Sequence, residues 1–348
     1  MNNNHDFTEG EILRPMLTFR GPVLLAMFLQ SLYGAVDLMV VGKFAEAADA
    51  SGVNTGSQVM MMLTFVVTSF SMAVTILMGQ HIGEKSPEKA GDVIGTGIIM
   101  FAVMAIAMTF AGVMFAPEIA AGLKAPRDAF NQTVSYIRVC SSGFVFIIAY
   151  NVMSGVFRGV GDSVMPLISV TIASVFNIIG DLFFVKGMGM GAKGAAIATV
   201  MAQVMSVILS MFIISKRKMP FILTKDKLRI DKSIAKRIFS LGTPLLLQDI
   251  LVSVSFLFLL AITNSRGVIV SAGVGIAEKL CGFIMLVPSA FSQSVSAFVA
   301  QNVGARRMDR ANKALKYALA VSVCVGLVIA YVAYFHGDIL CEIFSNDH

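Results

Sequence analysis

Long apolar runs alternate along the chain with short polar breaks. About 20 consecutive apolar residues carry a helix across a bilayer. Nine runs meet that length, at about 16–42, 53–78, 92–115, 135–157, 165–186, 194–215, 242–263, 273–298 and 311–334. The breaks between them are short, apart from a basic stretch from Lys216 to Arg237. The first fifteen residues are polar and carry Asp6, Glu9 and Glu11. The apolar run that follows is too long for the core of a signal peptide, so it reads as the first spanning helix and not as a cleaved leader. The pattern predicts an all-α integral membrane protein with about nine transmembrane helices.

Composition agrees. The chain is 56% hydrophobic and 14% charged, against about 45–50% and about 25% in soluble domains. One soluble core cannot bury that excess. The net charge of +6 would fit a nucleic-acid partner, but its placement points to topology instead. Alternate loops gather Arg14, Arg20, Lys85, Lys89, Arg158, the nine basic residues of 216–237, and Arg306, Arg307, Arg310, Lys313 and Lys316. The opposite side receives only Lys43, Lys124, Arg127, Lys186, Lys193 and Arg266. Basic residues collect on the cytoplasmic side, which puts the N-terminus in the cytoplasm. The 216–237 stretch then lies beside anionic headgroups, and no nucleic-acid partner is expected.

The chain repeats itself at a constant shift. Gly52-Val53 matches Gly273-Val274; Val66, Phe70, Ser71 and Val74 match Val287, Phe291, Ser292 and Val295; Gln80, Gly83 and Ala90 match Gln301, Gly304 and Ala311. Pro22 matches Pro244 with a one-residue slip. Both copies read apolar helix, Q-x-x-G, short basic loop, next helix. Six spans separate the copies, an even number, so both should have the same orientation and be related by an axis along the membrane normal. This divides the chain into a six-helix unit over 1–215, a cytoplasmic linker over 216–240 and a three-helix unit over 241–348. The second copy stops early, and counterparts of the helices at 135–215 are expected to be missing, as in a fragment of a longer chain.

Polar residues inside the runs are the candidate chemistry, because an ionisable group in the bilayer is costly and marks function. Asp37 lies in LYGAVDLMVVG, Asn177 and Asp181 in SVFNIIGDLFF, and Thr199 in GAAIATVMAQ. Asn177 and Asp181 share a helical face. With the constant rise of a helix, Asp37, Asp181 and Thr199 fall about 7 Å below the outer surface, and Asn177 lies one turn deeper. Two carboxylates, an amide oxygen and a hydroxyl suit a hard cation such as Na⁺. Equally, burial and mutual repulsion favour a proton retained between the carboxylates. Asp249 and Glu278 are further acidic residues that would line the second unit. The four cysteines are scattered and read as inert buried thiols. Gly189–Gly194 spells G-x-G-x-x-G in an external loop without a preceding strand, so no dinucleotide site is expected. H-E-x-x-H, G-x-S-x-G and Walker A patterns are absent from the sequence. The reading is therefore not an enzyme, with no cofactor beyond a coupling ion.

These residues resemble the multidrug and toxic compound extrusion (MATE) family. The resemblance is carried by Pro22 with Asp37, VDLMVVG, FRGVGDSVMP at 157–166, NIIGDLFF, GAKGAAIAT and the paired Q-x-x-G motifs at Gln80 and Gln301. It implies a V-shaped transporter of two six-helix lobes, here a six-helix N-lobe and a partial, three-helix C-lobe. It implies a cation site at Asp37, Asn177, Asp181 and Thr199, as in the DinF-like branch, and a first helix that bends at Pro22. The expected activity is Na⁺- or H⁺-coupled antiport of small amphipathic, often cationic, compounds. The alternative is a flippase of a lipid-linked glycan, although the intramembrane charges, mostly acidic, favour cationic cargo. The expected setting is a bacterial inner membrane, with the lipid bilayer and the small-molecule substrate as partners and a monomer as the working unit.

Overall fold

The computed structural model describes residues 7–217, 219–264 and 268–335, and no strand occurs among the described residues. The helices are α1 (Leu13–Phe44), α2 (Ala47–Gly83), α3 (Pro87–Met114), α4 (Ala116–Gly122), α5 (Phe130–Ser142), α6 (Phe144–Val160), α7 (Val164–Asp181), α8 (Gly191–Lys216), α9 (Lys232–Asn264), α10 (Val268–Gly304) and α11 (Met308–Phe335). Among the described residues, eight helices are long and apolar enough to span a membrane, and a bent pair makes up to nine. The bent pair is the fourth expected span. Residues 127–142 and 144–160 meet at Gly143 with a 53° bend. A Cβ on Gly143 would run into the Val200 side chain of α8. The missing side chain lets α8 press into the break.

α2 is the packing centre, with 44% of its spanning window buried against 6% for α11. Small residues allow the approach, as between helices in lipid. Gly155 of α6 lies against Ser71 and Thr75 of α2. Ser71 Oγ donates to Asn151 O at 2.7 Å and Thr75 Oγ1 to Gly155 O at 2.9 Å, so the hydroxyls are satisfied across the contact. The FRGVGDSVMP segment is a turn with its own chemistry. Gly161 ends α6 at φ +90°. Asp162 Oδ1 then accepts from Val164 N and Met165 N at 3.0 and 3.1 Å, capping α7. Its Oδ2 pairs with Arg217 at 3.1 Å.

The basic stretch is partly helical and is docked on α3. Its last third is helical, because α9 begins at Lys232, where Asp231 Oδ1 accepts from Ser233 N and Ile234 N at 2.8 and 3.1 Å. A helix cap at Asp231 supplies the start signal that hydropathy alone lacks. The preceding residues lie on the first turns of α3. Gly91 and Gly95 leave room there for the carbonyls of Ile222 and Lys227, and Lys227 Nζ reaches Asp92 at 3.0 Å.

The repeat recurs in backbone detail. Glu84 N bonds Gln80 O and Ala305 N bonds Gln301 O, both at 2.9 Å; Ser86 N bonds His81 O at 3.0 Å and Arg307 N bonds Asn302 O at 2.8 Å. Lys85 and Arg306, equivalent positions of the two copies, both adopt a left-handed φ, at 55° and 58°. The two copies also touch each other reciprocally. A Cβ on Gly83 would meet Gln301 O, and a Cβ on Gly304 would meet Gln80 O. Contacts of i on j′ and of j on i′ are the signature of a twofold relation. Around this seam, Gln301 Nε2 donates to Gly159 O at 3.0 Å, and its Oε1 accepts from Phe7 N at 3.3 Å. Phe7 is fully buried, 5.3 Å from Phe19 and 5.1 Å from Phe298 between ring centroids. Outside the membrane, Glu84 sits below the usual carboxylate range, chiefly because His81 hydrogen-bonds it.

Candidate functional site

α1, α7 and α8 bring the predicted polar set together. Gly180 of α7 faces Ala198 of α8 with no side chain of its own, so the two helices close tightly beside the set. That closure puts Asn177 and Asp181 next to Thr199. Asp181 is the last residue of α7, and a π-helical turn, Leu182–Gly187, follows it directly. Such wide turns interrupt helices most often at functional positions.

Asp37, Asn177 and Asp181 are all buried, and Thr199 is partly so. Thr199 Oγ1 donates to Asp37 Oδ2 at 3.0 Å, and Asn177 Nδ2 approaches Thr199 Oγ1 at 3.5 Å. What remains is a surplus of acceptors. Asp37 Oδ1, Asn177 Oδ1 and both carboxyl oxygens of Asp181 are buried without a donor among the described residues. Buried oxygens are ordinarily bonded, and leaving one bare costs about 1–3 kcal/mol or more. Several bare oxygens around two carboxyl groups make a strong acceptor for a hard cation or a proton. The donor set fits a small cation held by Asp37, Asn177, Asp181 and Thr199.

Further residues border this set. Gln203 Nε2 donates to the Tyr33 hydroxyl at 3.4 Å, one helical turn before Asp37. Tyr136 and Cys140 are buried one helical turn apart on α5. Gly56 of α2 makes room for the Tyr136 ring. Their i, i+4 spacing in a spanning segment was the available signal. Cys140 is buried, as expected of an inert thiol, while Cys281 and Cys324 are exposed. Cys341 lies outside the described residues.

The remaining acidic candidates are Asp249 and Glu278. Asp249 accepts from Ser69 Oγ at 3.1 Å, which ties α9 to α2. The Glu278 side chain lies outside the described residues. Pro22 sits inside α1, which continues through it to Phe44. The GMGAKG stretch forms the turn into α8, where Asp49 Oδ1 accepts from Ala192 N at 2.8 Å. Glycine at 191, with φ +52°, leaves space for that carboxylate.

Comparisons with known proteins agree with this architecture. The MatE family model matches residues 22–183 and 244–348. The probable multidrug resistance protein YoeA of Bacillus subtilis is 25% identical over 351 residues, covering 98% of this chain and 75% of that protein. The multidrug export protein MepA of Staphylococcus saprophyticus is 21% identical over 341 residues, again covering 98% and 75%. Among solved structures, a MOP superfamily transporter from Pyrococcus furiosus superposes with a TM-score of 0.91 at 19% identity, covering all of this chain and 77% of that one. That last likeness is one of fold.

Proposed function

This chain belongs to the MatE family, and we propose that it is a cation-coupled exporter of small amphipathic compounds, driven by Na⁺ or H⁺ at Asp37, Asn177, Asp181 and Thr199. The observation that carries the reading is the set of buried oxygens without donors that these residues share. Relatives named as multidrug resistance and multidrug export proteins support the export half of it. They lend nothing to the flippase alternative.

The route from site to transport runs along α1. That helix packs on α7, which holds Asp181, and on α10, which belongs to the second copy of the repeat. Cation binding takes up one of the two negative charges, offsets the repulsion within the carboxyl pair and draws α1 toward α7. Loss of the cation leaves two buried carboxylates in repulsion and releases α1. Pro22 removes one backbone hydrogen bond from α1, which makes bending there cheap. Coupling then follows from one condition: the cation binds the two states of α1 with different affinity. The test is efflux of a fluorescent cationic dye from vesicles carrying the protein, under a Na⁺ gradient and a H⁺ gradient applied separately. Dye export should follow one of the two gradients. Equal, gradient-independent dye loss would defeat the coupling.

The working topology is an N-terminus in the cytoplasm of a bacterial inner membrane, with the Gln80–Gly83 and Gln301–Gly304 seam on the cytoplasmic side. A reporter enzyme inserted near Lys225 should be active only in the cytoplasm, and one near Pro126 only outside. Both inserts reporting the reverse would invert the assignment.

A further inference from the structure

Arg20 lies on α1, two residues before Pro22, where α1 meets α10. Its guanidinium stacks 4.1 Å above the ring of Phe291, a buried residue of α10. The stack sets the plane of the group. Nε and Nη1 are closed off from solvent and find no acceptor among the described residues. Arg20 enters no ion pair among the described residues. An arginine within a spanning helix is costly and ordinarily pairs with an acid or with carbonyl groups.

The repeat shows that the fold does not require this side chain. In the register that matches Pro22 with Pro244, Arg20 corresponds to Gly242. Phe291 corresponds to Phe70. The second contact is the first one without the cation. A Cβ on Gly242 would run into the Phe70 ring, and Phe239 closes edge-on against Phe70 at 5.4 Å. One seam is thus shut by backbone and aromatic contact. Its twin carries a guanidinium over the aromatic ring, with two donors that find no acceptor among the described residues.

We propose that Arg20 is an oxyanion-recognition point on the α1–α10 seam, taking the oxygens of a carboxylate or a phosphate. A guanidinium keeps its charge at all physiological pH values, and its planar donors match both groups. The point is separate from the cation site. Asp37 lies more than four helical turns further along α1. The helical rise makes that separation roughly 25 Å, too far for one small molecule to bridge. Two sources carry this chemistry: the carboxylate of a zwitterionic cargo entering the seam, or the phosphate of an anionic lipid lodged in it.

The experiment uses the full chain in lipid nanodiscs and a pair of fluorescent probes, a fluoroquinolone and its methyl ester. Binding is read by anisotropy for the native protein, Arg20→Gln and Arg20→Lys. If the oxyanion is the cargo's, Arg20→Gln weakens the acid about ten- to hundredfold, Arg20→Lys weakens it less, and ester binding is unchanged. Unchanged ester binding also reports an intact fold. If the oxyanion is a lipid phosphate, the acid-to-ester ratio stays constant. Phosphatidylglycerol retained on the native protein in native mass spectrometry is then lost from Arg20→Gln. Should Arg20→Gln fail to fold, the same two readouts on Arg20→Lys decide. An unchanged probe ratio together with unchanged lipid retention overturns the proposal. Binding is measured without any gradient, so this result is independent of whether efflux is cation-coupled.

Discussion

Asp181→Asn should reduce coupled efflux to the passive leak while leaving insertion and yield intact. Asp181 contributes two of the buried oxygens that have no donor. Replacing its carboxylate removes one of the two charges that attract a cation in a dry site. Losing one partner of a buried charge pair costs about 3–5 kcal/mol, which corresponds to more than a hundredfold in affinity. The folded protein should not suffer, because the variant removes a buried, donor-starved carboxyl group. Asp37→Asn should behave alike. Thr199→Ala should be milder, raising the half-saturating cation concentration severalfold, since it removes only the neutral hydroxyl that donates to Asp37. One such hydrogen bond contributes about 1 kcal/mol. The measurements are dye efflux under each gradient and binding of radiolabelled Na⁺. Full efflux in the Asp37→Asn, Asp181→Asn double variant would remove the site from the mechanism.

Gly83→Ala should shift the protein strongly toward a state in which the Q-x-x-G ends of α2 and α10 are apart. The added Cβ would overlap Gln301 O, a backbone atom that has no rotamer to escape through. Overpacking of this kind costs about 1–3 kcal/mol, sometimes more. Two transport states differ by only a few kcal/mol, so a change of that size can reverse their populations. Gly304→Ala should do the same through Gln80 O, because the contact is reciprocal. Gly34→Ala is the control, since a Cβ there meets nothing within 4 Å. The readout is reactivity of a single cysteine placed in the seam, in a background lacking the native cysteines. Both seam variants should expose it, and Gly34→Ala should not. Equal reactivity in all three would show that this contact does not distinguish the states.

Part of the site was legible without coordinates. Asp37, Asp181 and Thr199 lie at matching distances from their helix ends, and depth follows from residue number because the helix rise is constant. The i, i+4 relation of Asn177 and Asp181 was legible for the same reason. Tyr136 and Cys140, buried one turn apart on α5, were not singled out. Tyrosine and cysteine in a spanning segment carry no formal charge, so neither stands out by cost. Asp249 looked equivalent to the others by cost alone, and only its hydrogen bond from Ser69 assigns it to a helix contact. The start of α9 at Lys232 was not legible, because a mixed polar stretch such as Lys232–Leu241 has no hydropathic edge.

The number of spans and the duplication are properties of the sequence itself. A bilayer offers backbone groups no partners, so a run of about 20 apolar residues crosses it as a helix that satisfies its own backbone, and a repeated motif repeats its local backbone, as Lys85 and Arg306 do. The sideways arrangement was decided only in three dimensions. Depth is one coordinate. The rotation of each helix about its axis, and which helix stands beside which, depend on how side chains interlock. Gly180 against Ala198 brings α7 to α8, Gly143 against Val200 bends the fourth span, and Gly83 and Gly304 admit each other's carbonyl neighbours. A missing side chain is silent in a hydropathy pattern and becomes informative only when its neighbour is known.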